Sequence, residues 1–127
     1  MALNMANAAV HAEAVGLNTE VGTGYLRIYD GSKPATGDTA IGAVNKLAEF
    51  VLPASPFTDV NGVMTAGAIT PVTGLFASTA TWYRVWKSDG TTPEWQGDVG
   101  AEMTLNSAAI TVGAAVSVTS WTHTIPK

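Results

Sequence analysis

Cysteine is absent from this chain, which excludes disulfide bonds and thiolate-ligated metal centres. Histidine is scarce: His11 and His123 are the only two, and no metal-ligand motif connects them. The six lysines and arginines are scattered, so no basic stripe is available to neutralise nucleic-acid phosphates. No apolar run approaches the ~18 residues of a membrane helix. We therefore expect no metal, no cofactor, no nucleic-acid partner and no membrane partner.

Charge of either sign is also sparse. Charged residues make up 13% of the 127 residues, against about 25% in an average protein, while hydrophobic residues make up 46%. The formal net charge is -4, which aids solubility but indicates no particular partner. A surface so poor in charge suits a protein that lies against copies of itself or against other proteins.

Residues for catalysis are equally hard to find. The chain contains no His-Glu-x-x-His, no P-loop and no Gly-x-Ser-x-Gly. Most aspartates stand beside glycine, where their side chains bond turn amides, and no pair of carboxylates is marked out for glycoside hydrolysis. A faint calcium-loop pattern starts at Asp59, but Thr70 occupies the position of the required glutamate. We predict that the protein is not an enzyme.

The first 22 residues have a helical pattern. Leu3, Val10 and Leu17 recur on one narrow face, Asn4 is placed to cap the start, and Gly16 is placed to end the helix. Because so little apolar surface is available, we expect residues 1–22 to form a helical arm that docks onto a neighbouring subunit or partner rather than onto its own domain.

From residue 23 the apolar period changes to two, which predicts a β-domain over residues 23–127. Strong turn signals such as Asp89-Gly90 separate the strands. The first predicted strand begins at Tyr25, and the others cover residues 46–52, 63–70, 79–87, 93–97, 103–105, 109–112 and 115–125. Seven or eight short strands predict a β-sandwich, either jelly-roll-like or immunoglobulin-like, with a short N-terminal helical arm.

The tryptophans are the most distinctive side chains. Trp82, Arg84 and Trp86 alternate along one face of a predicted strand, and Trp121 lies in the last strand. We interpret them as core or protein-interface residues; a sugar-binding platform is the alternative. The predicted assembly interface consists of Leu3, Val10, Leu17, Trp82, Arg84, Trp86 and Trp121.

Several stretches resemble a group of small proteins encoded by tailed bacteriophages. They are residues 24–31 (GYLRIYDG), 33–40 (KPATGDTA), 80–91 (ATWYRVWKSDGT) and 116–121 (VSVTSW), followed by Ile125-Pro126. The resemblance spans almost the whole chain and implies a virion protein, made in the host cytoplasm, with no catalytic residues to carry over.

Within virions, a small acidic β-sandwich is similar to capsid decoration (cement) proteins. The resemblance implies a homo-oligomer, trimer or dimer, that binds the major capsid protein on the outer capsid surface and stabilises the lattice. The alternative is a tail-tip or fibre-associated module that binds host-surface glycans.

Overall fold

The computed structural model describes residues 6–125, so Leu3 and Asn4 lie outside the described residues. Within this range one helix, α1 (Asn7–Val21), precedes the strands. The strands are β1 (Tyr25–Tyr29), β2 (Lys46–Val51), β3 (Phe57–Val60), β4 (Val63–Ala66), β5 (Val72–Thr73), β6 (Ser78–Thr79), β7 (Trp82–Trp86), β8 (Pro93–Asp98), β9 (Met103–Leu105), β10 (Ala109–Ile110), β11 (Ala115–Val116) and β12 (Val118–Thr124). In the part of the chain that the structure describes, no helix has the length and apolarity to span a membrane.

Two four-stranded antiparallel sheets form the body of the protein. The first sheet has the strand order β2-β1-β7-β8, and the second has the order β3-β4-β12-β9. Short ribbons, β10 with β6 and β11 with β5, lie beside them. The prediction of a mainly β protein with a sandwich architecture and a short N-terminal helix is confirmed.

The apolar faces of the two sheets meet in one core. The first sheet contributes Leu26, Ile28 and Phe50, and the second contributes Met64 and Met103. Successive side chains of a strand point to opposite faces, so these residues alternate with polar or outward-facing neighbours. In β1 the two-residue period is also the period of burial over residues 25–28, whereas the first four residues of β7 are buried on both faces.

Aromatic rings fill the middle of the core. The Trp121 ring lies 4.7 Å from Phe57 and 5.6 Å from Tyr83, both in edge-on geometry, and 6.0 Å from Trp95. Because Tyr83 and Trp95 belong to the first sheet and Phe57 and Trp121 to the second, this cluster joins the sheets. Edge-to-face contacts of this kind add to the large area that each ring buries.

The helix packs on its own β-domain, contrary to the expectation that it would find little to bury there. Val10, Ala14 and Val21 are buried members of the core, and Leu17 packs against it. Asn18 fixes the helix further, since its side chain accepts a bond from the Phe57 amide at 3.0 Å and donates one to the Phe57 carbonyl at 3.2 Å.

Three local predictions need correction. Gly16 does not end the helix, which continues to Val21 and is followed by Gly22. The predicted strand over residues 63–70 ends at Ala66, and β3 was missed. The predicted strands over residues 79–87 and 115–125 are each divided, giving β6 with β7 and β11 with β12. Pro53 and Pro56 precede β3, and their presence favoured a loop at that point.

We predict that Trp121→Ala lowers the free energy of unfolding by about 3–5 kcal/mol, because it leaves a cavity where the two sheets meet. Urea titration followed by circular dichroism measures the loss. As a control, Val60→Ala at a side chain that is 70% exposed should change stability by less than about 0.5 kcal/mol. Equal losses in both variants would contradict this description of the core.

The buried phenol of Tyr83 predicts sensitivity to alkali. Burial raises the pKa of Tyr83 from its ordinary value to about 12, although the nearby indoles of Trp121 and Trp95 oppose the shift. Neutral Tyr83 therefore stabilises the fold fully below pH 10, and this contribution is lost as the pH rises toward 12. It amounts to on the order of 2–3 kcal/mol.

We expect Tyr83→Phe to show a shallower fall of unfolding free energy between pH 10 and 12 than the unaltered protein. Some decline should remain, because burial also raises the pKa of Tyr29. Denaturant titrations at successive pH values measure both curves. Parallel curves would show that Tyr83 ionises as freely in the folded as in the unfolded chain.

Candidate functional site

The outer face of the first sheet carries a stack of arginines and aromatic rings. Trp82 stacks on Tyr29 with ring centres 4.5 Å apart. The Arg84 guanidinium lies 5.5 Å from the Trp82 ring and 5.6 Å from the Trp86 ring. The Arg27 guanidinium lies 5.1 Å from the centre of the Trp86 ring. The strands create this stack because β1 and β7 pair with Tyr29 opposite Trp82 and Arg27 opposite Arg84.

A long loop, residues 30–45, covers one end of this arginine–aromatic stack. The Trp82 indole donates to the Asp30 carbonyl at 2.9 Å, and Arg84 donates to the Thr36 carbonyl at 3.2 Å. Gln96 connects the two parts, since it accepts from Arg84 at 2.8 Å and donates to the Pro34 carbonyl at 2.6 Å. Arg84 is consequently only 2% exposed, and burial lowers the pKa of its guanidinium.

The other end of the stack is more open. Arg27 donates to Glu49 at 2.6 Å and to the Gly90 carbonyl at 2.8 Å, and its guanidinium lies 5.3 Å from the Tyr25 ring. Tyr25, Arg27 and Trp86 are all half-buried. The arginines at both ends thus have protein partners for their charge, which is typical of a structural stack.

The predicted interface residues do not form one surface. Trp82, Arg84 and Trp86 lie together as the sequence indicated, but Trp82 and Arg84 are buried beneath the loop. Trp121 lies in the core between the sheets, and Val10 lies on the buried face of α1. These four buried side chains offer no surface to a partner while the chain is folded this way, because its own residues cover them. Of the predicted set, Leu17 and Trp86 remain half-buried, and Leu3 lies outside the described residues.

A different apolar surface is exposed along the edge strand β2. Its components are Val51, Val72, Leu75, Phe76 and Val112, which we call the apolar edge. Leu75 and Phe76 are 51% and 46% exposed, and Val112 is 62% exposed. The Leu75 amide donates to the Leu47 carbonyl of β2 at 2.8 Å, which ties this segment to the sheet.

Backbone contacts place the segments of the apolar edge side by side. Gly74 pairs with Val112, and the Gly113 amide donates to the Gly74 carbonyl at 3.0 Å, so the two segments lie side by side. At the other end, Val51 and Val72 line an open groove of about 440 Å³ together with Leu52, Pro53, Ala68 and Thr70. The predicted strands over residues 63–70 and 79–87 leave the segment with Leu75 and Phe76 outside any strand, so this surface was not predicted. The signal was the pair Leu75-Phe76, two large apolar side chains inside a loop.

No metal centre is found among residues 6–125. In that range no three histidines and carboxylates lie close enough together to hold a metal ion. His11 bonds Asp59 at 2.6 Å, and His123 stacks on Trp95 with ring centres 4.5 Å apart. Asp89 accepts bonds from the amides of Thr91 and Thr92, as expected of a turn aspartate.

Comparison of the chain with models of protein families, with curated proteins and with solved structures found no match in any of the three.

We predict that Arg84→Met loosens the covering loop, because it removes the bonds to Gln96 and Thr36 while keeping most of the side-chain bulk. Loss of these buried charge-assisted bonds should cost on the order of 1.5–3 kcal/mol of stability. Proteinase K should cleave residues 30–45 faster than in the unaltered protein, with cleavage sites read by mass spectrometry.

Arg27→Met is the matched control, because Arg27 bonds Glu49 and Gly90 rather than the loop. It should leave loop cleavage unchanged. Acceleration by both variants to the same degree would mean that the loop is held by general stability and not by Arg84.

Proposed function

We propose that the protein is a structural component of a tailed-bacteriophage virion and acts as a capsid decoration protein. In this role it binds the major capsid protein on the outside of the shell, alone or as a small homo-oligomer, and stabilises the lattice. The proposal combines the resemblance noted in the sequence with the surface chemistry of the folded chain.

The apolar edge is the observation that carries the proposal. Solvent-exposed apolar side chains are ordinary when single, but a continuous group of them commonly marks a protein-binding surface. Leu75, Phe76 and Val112 are exposed on two segments that pair at Gly74, and Val51 and Val72 line a groove along the same edge. None of the five side chains that define the edge is charged, which lowers the desolvation cost of covering them, while Lys46 and Glu49 of β2 lie partly exposed on the same strand.

Attachment through such a surface is effective on a repeating lattice. A few half-exposed side chains give modest affinity for one site, since full burial of a leucine or phenylalanine is worth about 1.5–3 kcal/mol. An oligomer that engages several lattice positions raises its effective concentration at each remaining site. Many weak contacts then sum to firm attachment without any chemical step.

The proposal is tested with capsids that lack the protein. Leu75→Ser with Phe76→Ser should weaken binding to such capsids by about tenfold or more, because both side chains lose their contact with the shell. Co-sedimentation across a concentration series measures the affinity, and a melting curve confirms that the variant is folded.

The matched control is Val60→Ser with Val63→Ser, which removes two exposed apolar side chains from the second sheet instead. It should bind as the unaltered protein does. Failure of the unaltered protein to bind capsids, combined with binding to a glycan array that Trp86→Ala abolishes, would replace this proposal with the tail-module alternative.

A further inference from the structure

The surface under α1 is built to accept this particular helix. Val10 packs over Gly62, where any side chain would collide with it. His11 bonds Asp59, and Asp59 in turn accepts the Gly62 amide at 2.8 Å. Asn18 pairs with both backbone groups of Phe57. The helix therefore binds the edge strand β3 and the β3–β4 turn through contacts specific to its own sequence.

The connection between α1 and β1 is short and strained. Only residues 22–24 separate the two elements, and Thr23 has a φ of 59°, in the left-handed region that β-branched residues avoid. Glycines flank it on both sides, and a side chain at Gly22 or Gly24 would collide with the backbone of Ala54 or Trp86. The closed arrangement, in which a chain covers its own sheet, requires this conformation.

The helix contributes little to its own stability. Its N-terminal position Ala6 has no side-chain cap, the first turn contains no acidic residue, and the last turn contains no basic residue. Gly16 lies in its interior, where a side chain would meet only open space, and glycine lowers helix stability there. The helix thus depends on the surface beneath it, and an identical surface is present on every copy of the chain.

We propose that two copies of this chain exchange their N-terminal helices, so that α1 of each copy binds β3 and the β3–β4 turn of the other. Exchange keeps the contacts of α1 with β3 and the β3–β4 turn and releases Thr23 to an ordinary backbone conformation, at the loss of the 3.1 Å bond from the Thr23 amide to the Pro53 carbonyl. Short hinges under strain favour such exchange, and it is a low-cost route to dimers. The proposal stands whether or not the protein decorates a capsid.

Because the chain has no cysteine, introduced thiols report the exchange directly. Asp59→Cys and His11→Cys are made in separate chains, one of them isotope-labelled, and the two are unfolded and refolded together. A short bismaleimide is then added. Exchange places the two thiols of different chains within reach of each other and gives a mixed covalent dimer, identified by mass.

Val112→Cys replaces Asp59→Cys in the control mixture, because Val112 is exposed but lies away from the helix contacts. It should give only the background yield of mixed dimer. The proposal is overturned if the two mixtures give equal yields while the double variant with both His11→Cys and Asp59→Cys crosslinks within one chain.

Thr23→Gly provides a second test that leaves all helix contacts in place. Glycine accepts a positive φ without steric cost, so the closed monomer should become more stable relative to the dimer. The dimer fraction measured by sedimentation velocity should therefore fall relative to the unaltered protein. An unaltered protein that stays monomeric at millimolar concentration, or a dimer fraction unaffected by Thr23→Gly, would contradict exchange driven by this hinge.

Discussion

The structure depends on the aromatic contact between the two sheets. Each sheet has one apolar face, and neither face is stable in water until the other covers it. Trp121 of the second sheet meets Tyr83 and Trp95 of the first, and the hydroxyl of Tyr83 occupies space that Gly97 leaves free. The position of these rings fixes which side chains of β7 point outward, and hence where the arginine–aromatic stack lies.

The outward-facing side of β7 carries a buried charge, although the chain has few charged residues. Arg84 is buried, but its charge is compensated by Gln96, by a loop carbonyl and by two indole faces. The loop that covers it removes the tryptophans from the surface. The apolar edge beside β2 is not covered in this way, and it becomes the surface with the best chemistry for a protein partner.

Sequence patterns predicted what depends on local geometry. The two-residue period located β1, β2 and the outward alignment of Trp82 with Arg84, and the Asp89-Gly90 turn was placed correctly. These features follow from side-chain alternation and from the backbone freedom of glycine. The extent of α1 was underestimated because Gly16 faces open space, where its flexibility does not terminate a helix that is held by packing.

The candidate site was predictable only in part, because it depends on contacts between distant segments. Nothing in the sequence around Trp82 indicates that residues 30–45 fold over it, or that the segment containing the exposed Phe76 pairs through Gly74 with Val112. The contacts of α1 were unpredictable for the same reason. Val10 was identified as apolar, but its partner Gly62 is 52 residues away in the sequence.

We propose that the apolar edge, rather than the arginine–aromatic stack, is the surface that meets the partner. Hydroxyl-radical footprinting of the protein, free and bound to capsids, tests this most directly. We predict that binding protects Leu75 and Phe76 from oxidation while the half-buried Tyr25 and Trp86 react as they do in the free protein. Protection of Tyr25 and Trp86, with Phe76 still fully reactive, would contradict it.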